Sequence, residues 1–290
     1  MIKNKRILVI GGSRFFGKRL VTDLLAQGND VVVMNRGNLP RVHDEVEQVI
    51  CDRNDTEKMQ NLLGKRSWDV VFDQVCFDYS QAKAACEVFS GQVGKYIFTS
   101  TGSVYDNGSF LKEENFDPTK YEFATEVSRA EDYGEAKRQA EVAFVRHADF
   151  PVTMVRFPIV FGKDDYTKRF LFHFDGILNG RPVFFPNLEA RKSFVESSEA
   201  ASTLSFLAGI DHVGPVNVAS PEPIVINSLM ALIEKFHGKS LKLLTSYNKE
   251  NHSPYGIEED WFMDCGKLES LGLKLSPLEG LFNKYMKSLV

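Results

Sequence analysis

The sequence has 290 residues, 43% of them hydrophobic and 26% charged, with a formal net charge of −4. That length can bury a full core, either as one large α/β domain or as a main domain with a smaller partner. The acidic balance argues against a nucleic-acid surface beyond a local patch, and no apolar run reaches the roughly 18 residues of a membrane span.

The four cysteines form neither a CxxC pair nor paired clusters, which favours free thiols in a reducing compartment over disulfides or a zinc site. The six histidines are scattered without metal-ligand spacing, so no metal site is predicted. The first residues lead into a strand rather than a signal peptide. We therefore expect a cytoplasmic protein.

The chain opens with a strand, a glycine turn, a helix and a second strand within about 30 residues, as a dinucleotide-binding fold does. Gly11 permits the tight turn, Gly17 lets the helix lie close on the sheet, and the helix N-terminus offers N–H groups to a pyrophosphate. Arg14 stands where a GxxGxxG pattern has its middle glycine, so a turn without a phosphate stays open as the alternative. The predicted cofactor contacts are Gly11, Gly12, Ser13, Arg14, Phe15, Phe16 and Gly17.

The end of the second strand, Asn35-Arg36, bears on the choice of cofactor. An NAD-binding unit usually has Asp or Glu here to accept a hydrogen bond from the ribose 2′-hydroxyl. A carboxylate would repel a 2′-phosphate, whereas Arg36 attracts it, and Arg14 emerges from the adjacent loop. We expect NADP or NAD, with NADP favoured. The alternative is that both arginines are solvated surface charges.

A third strand ends at Asp52, which is placed to bond an adenine amino group. The pair Asn54 and Glu57 predicts a capping box for the next helix. The fourth strand, 68–75, is nearly continuous in apolar residues, as a buried parallel strand should be. The fifth strand runs into the hydroxyl-rich stretch 100–105. Because ligands of open α/β sheets lie at the carboxyl ends of strands, chemistry is expected there, although hydroxyls are also common in ordinary loops.

The stretch 128–147 predicts a helix with Tyr133, Lys137, Ala140 and Phe144 on one stripe, at intervals of three and four. Coulomb attraction from Lys137 can stabilise the phenolate of Tyr133, which makes the phenol more acidic and suits it to shuttle a proton. The alternative is a solvated helix face on which a tyrosine and a lysine fall four residues apart.

Together these segments resemble the short-chain dehydrogenase/reductase superfamily, in its extended or closely related atypical branch of NAD-dependent epimerase/dehydratase proteins. The matching stretches are IGGSRFFG at the first turn, CDRND after the third strand, FTSTGSVY after the fifth, YGEAK on the long helix, and MVRFPIVFG further on. Their order and spacing agree across residues 1–162.

The resemblance implies an α/β fold with a doubly wound parallel sheet, a Rossmann fold, and a smaller C-terminal substrate-binding region. The Rossmann domain would comprise 1–162, with 193–220 returning to it, and the substrate-binding region would comprise 163–192 and 221–290.

By position, the resemblance implies that Thr101 is the catalytic hydroxyl residue that holds the reacting oxygen and that Tyr133 is the catalytic acid or base. Lys137 matches the lysine that binds the nicotinamide ribose. Further implied cofactor contacts are Asp52, Arg53, Pro158, Ile159 and Val160, and implied substrate contacts are Ser103 and Arg191, whose guanidinium suits a diphosphate.

Three stretches depart from the family pattern. Arg14 is similar to the GGTRF-type turn of an atypical subgroup that includes plant chloroplast stem-loop-binding proteins, so an RNA-associated role stays open. Nucleotide-sugar dehydratases have an Asp-Glu pair directly after the catalytic threonine, and Gly102 and Ser103 therefore argue against a 4,6-dehydratase. After the fourth strand, 73–76 replaces a His-Leu-Ala-Ala type segment.

The second half of the chain is less regular, with a helix and a turn over 164–186. Its aromatic residues are suited to wall a pocket, but we expect them to belong to the core rather than to contact substrate. They are Phe170, Phe172, Phe174, Phe184 and Phe185.

The leading hypothesis is an oxidoreductase or epimerase that transfers hydride between nicotinamide and a hydroxyl or carbonyl group of a nucleotide-sugar-like small molecule. A second hypothesis is an NADPH-dependent carbonyl reductase. A third, from another class, is a non-catalytic dinucleotide-binding or RNA-associated protein, against which the intact Thr101, Tyr133 and Lys137 argue. Neither a nucleic-acid nor a membrane partner is expected, and the chain is expected to be a monomer or a homodimer.

Overall fold

The computed structural model describes residues 2–290, which form two compact units. The first unit contains residues 2–105, Lys112–Phe157 and Ser197–Val218, and the second contains Asp106–Leu111, Pro158–Glu196 and Ala219–Val290. The first segment of the predicted Rossmann domain therefore ends at Phe157 rather than at residue 162, and the returning segment is shorter than 193–220.

The strands and helices of both units are numbered in chain order. The strands are β1 (Arg6–Ile10), β2 (Asp30–Asn35), β3 (Glu47–Ile50), β4 (Trp68–Asp73), β5 (Val93–Thr101), β6 (Gly108–Leu111), β7 (Val152–Phe157), β8 (Ile159–Phe161), β9 (Arg191–Lys192), β10 (Phe194–Glu196), β11 (Gly214–Asn217), β12 (Ile224–Val225) and β13 (Trp261–Met263). The helices are α1 (Phe15–Ala26), α2 (Thr56–Leu63), α3 (Tyr79–Phe89), α4 (Tyr133–His147), α5 (Arg169–Leu178), α6 (Ser197–Ala208), α7 (Ile226–His237), α8 (Gly266–Ser270) and α9 (Leu278–Lys287).

The first unit is built on a parallel sheet of seven strands in the order β11-β7-β5-β4-β1-β2-β3. Helices α3 and α4 pack on each other, and α1 packs on α6. The strand order reverses direction at β1, as it does in doubly wound sheets, where ligands bind at the carboxyl edge. The predicted fold class is therefore confirmed.

The apolar runs that predicted the strands form the core of this sheet. Leu8, Val9, Val71 and Ile97 are completely buried, and β7 is buried along its whole length. Burial on both faces explains why these strands read as continuous rather than alternating apolar segments.

Two helix starts differ from the sequence prediction. Helix α4 begins at Tyr133 and not at Ser128. Asp132 caps the helix by accepting from Glu135 N at 2.9 Å, and Ser128, whose side chain and N–H are bonded to Glu131, starts a separate turn before it. Helix α2 is capped by Asp55, whose side chain accepts from Lys58 N at 3.1 Å, so the predicted capping box at Asn54 and Glu57 is wrong by one residue.

The second unit has two small sheets, one of β10 and β8 and one in the order β12-β9-β13-β6. An aromatic core fills it. Phe170, Phe174 and Phe185 are buried there, as predicted, and Phe172 packs at its edge. Phe184 is half-buried and stacks on Tyr247. No helix among residues 2–290 is both long enough and apolar enough to cross a membrane.

Candidate active site

The glycine turn lies between β1 and α1, at the carboxyl edge of the sheet. Gly11 and Gly12 have φ angles of 101° and 71°, a region that costs a residue with a side chain about 1–2 kcal/mol. A Cβ atom at Gly12 would also lie 2.8 Å from Val9 Cγ1. The turn therefore needs glycine for both conformational and packing reasons.

The close approach of α1 to this turn bears on the predicted phosphate contacts. A Cβ atom at Gly17 would lie 3.1 Å from Gly12 Cα and would overlap the Gln74 side chain, so the helix starts close to the turn only because this side chain is absent. The first turn of α1 has no acidic residue, and its leading N–H groups have no acceptors within the helix. Gly11, Gly12 and Gly17 are the residues that would hold a pyrophosphate here.

Arg14 is not the strained residue of the turn. Its backbone is extended (φ −138°, ψ 156°) and the residue is exposed. The left-handed conformation falls instead on Phe15 (φ 50°), a rare conformation for a bulky residue. The Phe15 ring packs on Phe16 at 5.5 Å, and Phe16 packs on Phe157 at 5.6 Å. Aromatic packing therefore helps to hold a strained start to α1.

Asn35 fastens the glycine turn to the end of β2. Its Nδ2 donates to Ser13 Oγ, and its Oδ1 accepts from Gly37 N and Gln48 Nε2, each at 2.8 Å. Arg36 is exposed beside it. The structure thus gives Asn35 an internal role, and the cofactor contacts of Asn35 and Arg36 stay predictions.

Arg53 has a structural role besides the cofactor contact predicted for it. Its buried guanidinium donates to both oxygens of Asp73, at 2.8 and 2.9 Å, and to Gln81 O at 3.0 Å. Tyr96 Oη donates to the same carboxylate at 2.7 Å. Burial opposes the charge of Arg53, but the Asp73 carboxylate outweighs this effect and the pKa of Arg53 is raised. Arg53 therefore anchors the end of β4, and its cofactor contact stays a prediction. Asp52 is exposed, and its adenine contact also stays a prediction.

Thr101 ends β5, and a short 3-10 turn, Gly102–Val104, follows it. The Thr101 Oγ1 atom accepts from Ser103 N at 3.1 Å and lies 3.3 Å from Ser103 Oγ. Thr101 is buried and Ser103 is half-buried. The predicted hydroxyl pair is therefore held together at the carboxyl end of the strand.

The start of α4 lies against this turn. A Cβ atom at Gly134 would be 2.6 Å from Ser103 O, and Arg138 Nε donates to Val104 O at 2.7 Å. Tyr133, the first residue of α4, is 38% exposed. The structure thus brings the start of the helix that carries Tyr133 to the same edge as Thr101 and Ser103.

Lys137 lies one helical turn further on and is buried. Its Nζ donates to Cys76 O at 2.6 Å and to Thr99 O at 2.7 Å, and it lies 4.6 Å from the ring centroid of Phe98. Burial lowers the pKa of Lys137 to about 8. The lysine therefore ties α4 to β5 and to the loop after β4, a structural role that the sequence did not predict.

Sequence reasoning also missed a buried ion pair behind Thr101. Arg156 and Glu141 are both completely buried, and Arg156 Nε and Nη2 donate to the two Glu141 oxygens at 3.0 and 2.5 Å. Ser100 Oγ donates to Glu141 Oε1 at 2.6 Å. The further partners of Arg156 are Tyr105 Oη at 2.8 Å and the carbonyl oxygens of Glu113 and Phe116, both at 2.9 Å.

Two signals in the sequence could have revealed this pair. Glu141 follows Lys137 by four residues on the same helix, and Arg156 interrupts an apolar strand. A charged residue inside a buried strand requires a partner, because an unpaired buried charge is very costly.

The remaining predicted residues belong to the second unit. Pro158 precedes β8, and Ile159 and Val160 lie in β8, which pairs with β10. Their nicotinamide contacts stay predictions. Arg191 donates to Asp260 Oδ2 from Nε and Nη2, at 2.9 and 2.5 Å. Its predicted contact with a substrate would therefore compete with an existing ion pair.

Lys192, the residue after Arg191, is buried, and its Nζ donates to Tyr255 O at 3.4 Å. Burial and then the nearby charge of Arg169 lower the pKa of Lys192 to about 8. A buried ammonium group with such weak internal bonding is a candidate for contact with an anion. Lys192 could not be predicted from the sequence, because a lysine in a two-residue strand has no distinguishing pattern.

We expect Gly134→Ala to destabilise the protein, although alanine is the better helix former. The added methyl group would meet Ser103 O at 2.6 Å, so the helix start or the turn must shift, at a cost of about 1–3 kcal/mol. Urea denaturation measures the loss. Gly280→Ala on α9 is the matched control, since nothing lies within 4 Å of its Cβ position, and it should be neutral or stabilising. Equal effects of the two changes would contradict the close approach.

An open parallel sheet with a glycine turn after its first strand defines a dinucleotide-binding protein of the Rossmann type. A model of the NAD dependent epimerase/dehydratase family matches residues 7–219. The chain belongs to this family of enzymes.

Solved structures share the fold over almost the whole chain. UDP-glucose 4-epimerase from Thermotoga maritima, with UDP-glucose, superposes with a TM-score of 0.77 at 19% identity, over 98% of each chain. UDP-N-acetylglucosamine 4-epimerase from Methanobrevibacter ruminantium, in complex with UDP-N-acetylmuramic acid, has a TM-score of 0.75 at 20% identity, over 99% of this chain and 98% of that one. The UDP-glucose 4-epimerase from Thermus thermophilus, in complex with NAD, has a TM-score of 0.73 at 19% identity, over 98% of this chain and 100% of that one.

A relative by sequence is the chloroplast stem-loop binding protein of 41 kDa b from Arabidopsis thaliana. It is 24% identical over 200 residues, which are 63% of this chain and 49% of the relative. The matched part of the chain thus spans about half the length of that protein.

Proposed function

We propose that this enzyme moves a hydride between NAD(P) and a hydroxyl- or carbonyl-bearing carbon of a nucleotide-linked sugar. The observation that carries the proposal is the close approach of the start of α4, with Tyr133, to the turn that follows Thr101. The NAD dependence of the family and the UDP-sugars bound to two structural relatives support the substrate class.

The dinucleotide, when bound, supplies the carbon that accepts or returns the hydride. Thr101 Oγ1 would hold the reacting oxygen of the substrate by a hydrogen bond. Tyr133 Oη would take the hydroxyl proton when the carbinol is oxidised and return a proton when the carbonyl is reduced. Lys137 would keep α4 and the strand ends in register while this happens.

Glycine residues of the turn after β1 would hold the pyrophosphate. We also propose a preference for NADP, because Arg14 and Arg36 are exposed cations at this edge. The carboxylate that usually binds the ribose of NAD is absent from the end of β2. Arg36→Ala should weaken NADP binding by about tenfold and leave NAD binding unchanged, because only NADP carries the 2′-phosphate. Calorimetric titration of both nucleotides measures this. Equal affinities of the native chain for NAD and NADP would remove the preference.

The reaction itself is tested by incubating the enzyme and cofactor with UDP-glucose and UDP-N-acetylglucosamine. An epimerase converts the sugar, seen by NMR, without a net change in nicotinamide absorbance. Net consumption of NADPH would favour the carbonyl-reductase hypothesis. Failure to bind either NAD or NADP would overturn the proposed function.

A second candidate function is binding of an RNA stem-loop, favoured by the sequence relative of that name. The net charge of −4 works against it. Filter binding to a hairpin RNA across a salt series decides the question, since phosphate contacts make affinity fall steeply with salt.

A further inference from the structure

A second cation lies beside Tyr133, on the segment that precedes α4. The guanidinium carbon of Arg129 is 4.1 Å from the ring centroid of Phe77 and 5.9 Å from the ring centroid of Tyr133. Phe77 belongs to the loop after β4, and Lys137 Nζ lies 5.0 Å from the same ring. All four residues belong to the first unit.

Lys137 alone is a limited source of positive charge for Tyr133. Its Nζ already donates to two backbone carbonyl oxygens, and because burial lowers its pKa to about 8, the group becomes neutral in mildly alkaline solution. A guanidinium stays charged at every working pH. Arg129 therefore keeps a positive charge near Tyr133 where Lys137 loses its own.

We propose that Arg129 is a positioning residue for the acid–base chemistry: stacked on Phe77, it holds a permanent positive charge beside Tyr133 and stabilises the phenolate. Stacking on an aromatic ring is a geometry that arginine favours, and it fixes the charge without consuming the N–H donors. The proposal rests on the proposed role of Tyr133 and adds a residue that the motif YGEAK does not contain.

Other charges on the elements around Tyr133 act on it as well. The positive end of the α4 macrodipole favours the phenolate, and nearby carboxylates oppose it. Each of three such carboxylates has its own donor in the structure: Glu131 is bonded to Ser128, Asp132 to Glu135 N, and Asp78 to Gln81 N. The remaining charged side chains on the first turns of α4 are Glu135, Lys137 and Arg138.

The test is an NMR titration of protein labelled with ¹³C at tyrosine Cζ, in which the Tyr133 signal is identified by its loss in Tyr133→Phe. We expect Arg129→Gln to raise the titration midpoint of Tyr133 by about half to one pH unit, as removal of a unit charge at this range in a partly exposed site should. Arg129→Lys should restore most of the shift. The difference should shrink at about 1 M salt, because exposed charges are screened.

Arg6→Gln is the matched control, since Arg6 also lies over an aromatic ring, that of Trp68 at 5.2 Å, but at the amino end of β1. It should leave the Tyr133 midpoint unchanged. An unchanged midpoint in Arg129→Gln, or equal midpoints in Arg129→Gln and Arg129→Lys, would overturn the proposal. The titration does not depend on turnover, so the two proposals can fail separately. If the Tyr133 midpoint shifts as expected but the enzyme does not convert nucleotide sugars, the role of Arg129 stands and only the proposed function is rejected.

Discussion

Glu141→Gln is expected to remove about 3–5 kcal/mol from the free energy of unfolding, because it leaves the Arg156 guanidinium buried without its counter-ion. Both side chains are completely buried, and the carboxylate accepts three hydrogen bonds, two from Arg156 and one from Ser100. An amide in its place can offer only one oxygen, and its NH₂ group would face a cation. Denaturation in urea at neutral pH measures the loss.

Glu57→Gln, on the exposed face of α2, is the control and should change stability by less than about 0.5 kcal/mol. The double change Glu141→Leu with Arg156→Met should cost less than the sum of the two single changes, because no uncompensated charge remains. A loss below about 1 kcal/mol for Glu141→Gln would show that Arg156 finds another partner and that the pair is not essential to the fold.

Tyr133→Phe is expected to lower kcat by about 10²- to 10⁴-fold on any substrate that the enzyme turns over, because it removes the group that carries the proton. Cofactor affinity should stay the same, since the phosphates are held at the glycine turn. Steady-state kinetics and a binding titration on the same preparation separate the two effects.

The control for this change is Tyr79→Phe, which removes a hydroxyl from an exposed tyrosine–histidine pair, Tyr79 Oη to His147 Nε2 at 2.7 Å. It should keep full activity. If Tyr133→Phe also kept full activity, the proton would have to travel by another group and the proposed mechanism would be wrong.

The central sheet could be predicted from the sequence because its strands are buried on both faces and read as apolar runs. The glycine turn could be predicted because its local backbone geometry requires glycine at positions 11 and 12. The start of α4 could not, because Ser128 and Asp132 are both good capping residues and only the hydrogen bonds of the folded chain select Asp132.

The other differences between the sequence prediction and the structure arise from pairs of residues or strands that are far apart in the chain. Arg53 was predicted to contact the cofactor because it follows Asp52 in a family motif, yet its partner Asp73 lies twenty residues away and is invisible to local patterns. Likewise, β6 leaves the first unit because it pairs with β13, about 150 residues later in the chain. The resemblance implied that Tyr133 and Thr101 act at one site. The structure brings the start of α4 to the turn after Thr101, and the missing side chain of Gly134 is the physical basis of this close approach.

The order of synthesis has a consequence for how the first unit is completed. Strand β11 is the last of the seven strands of the parallel sheet to be synthesised. One edge of β7 therefore stays unpaired while residues 158–213 are made. Helix α6, which covers α1, arrives only shortly before. A nascent chain that stops near Phe157 would therefore present an open strand edge and an uncovered apolar helix, both of which invite aggregation. Shortened versions that end before Gly214, and so lack β11, should accumulate in inclusion bodies.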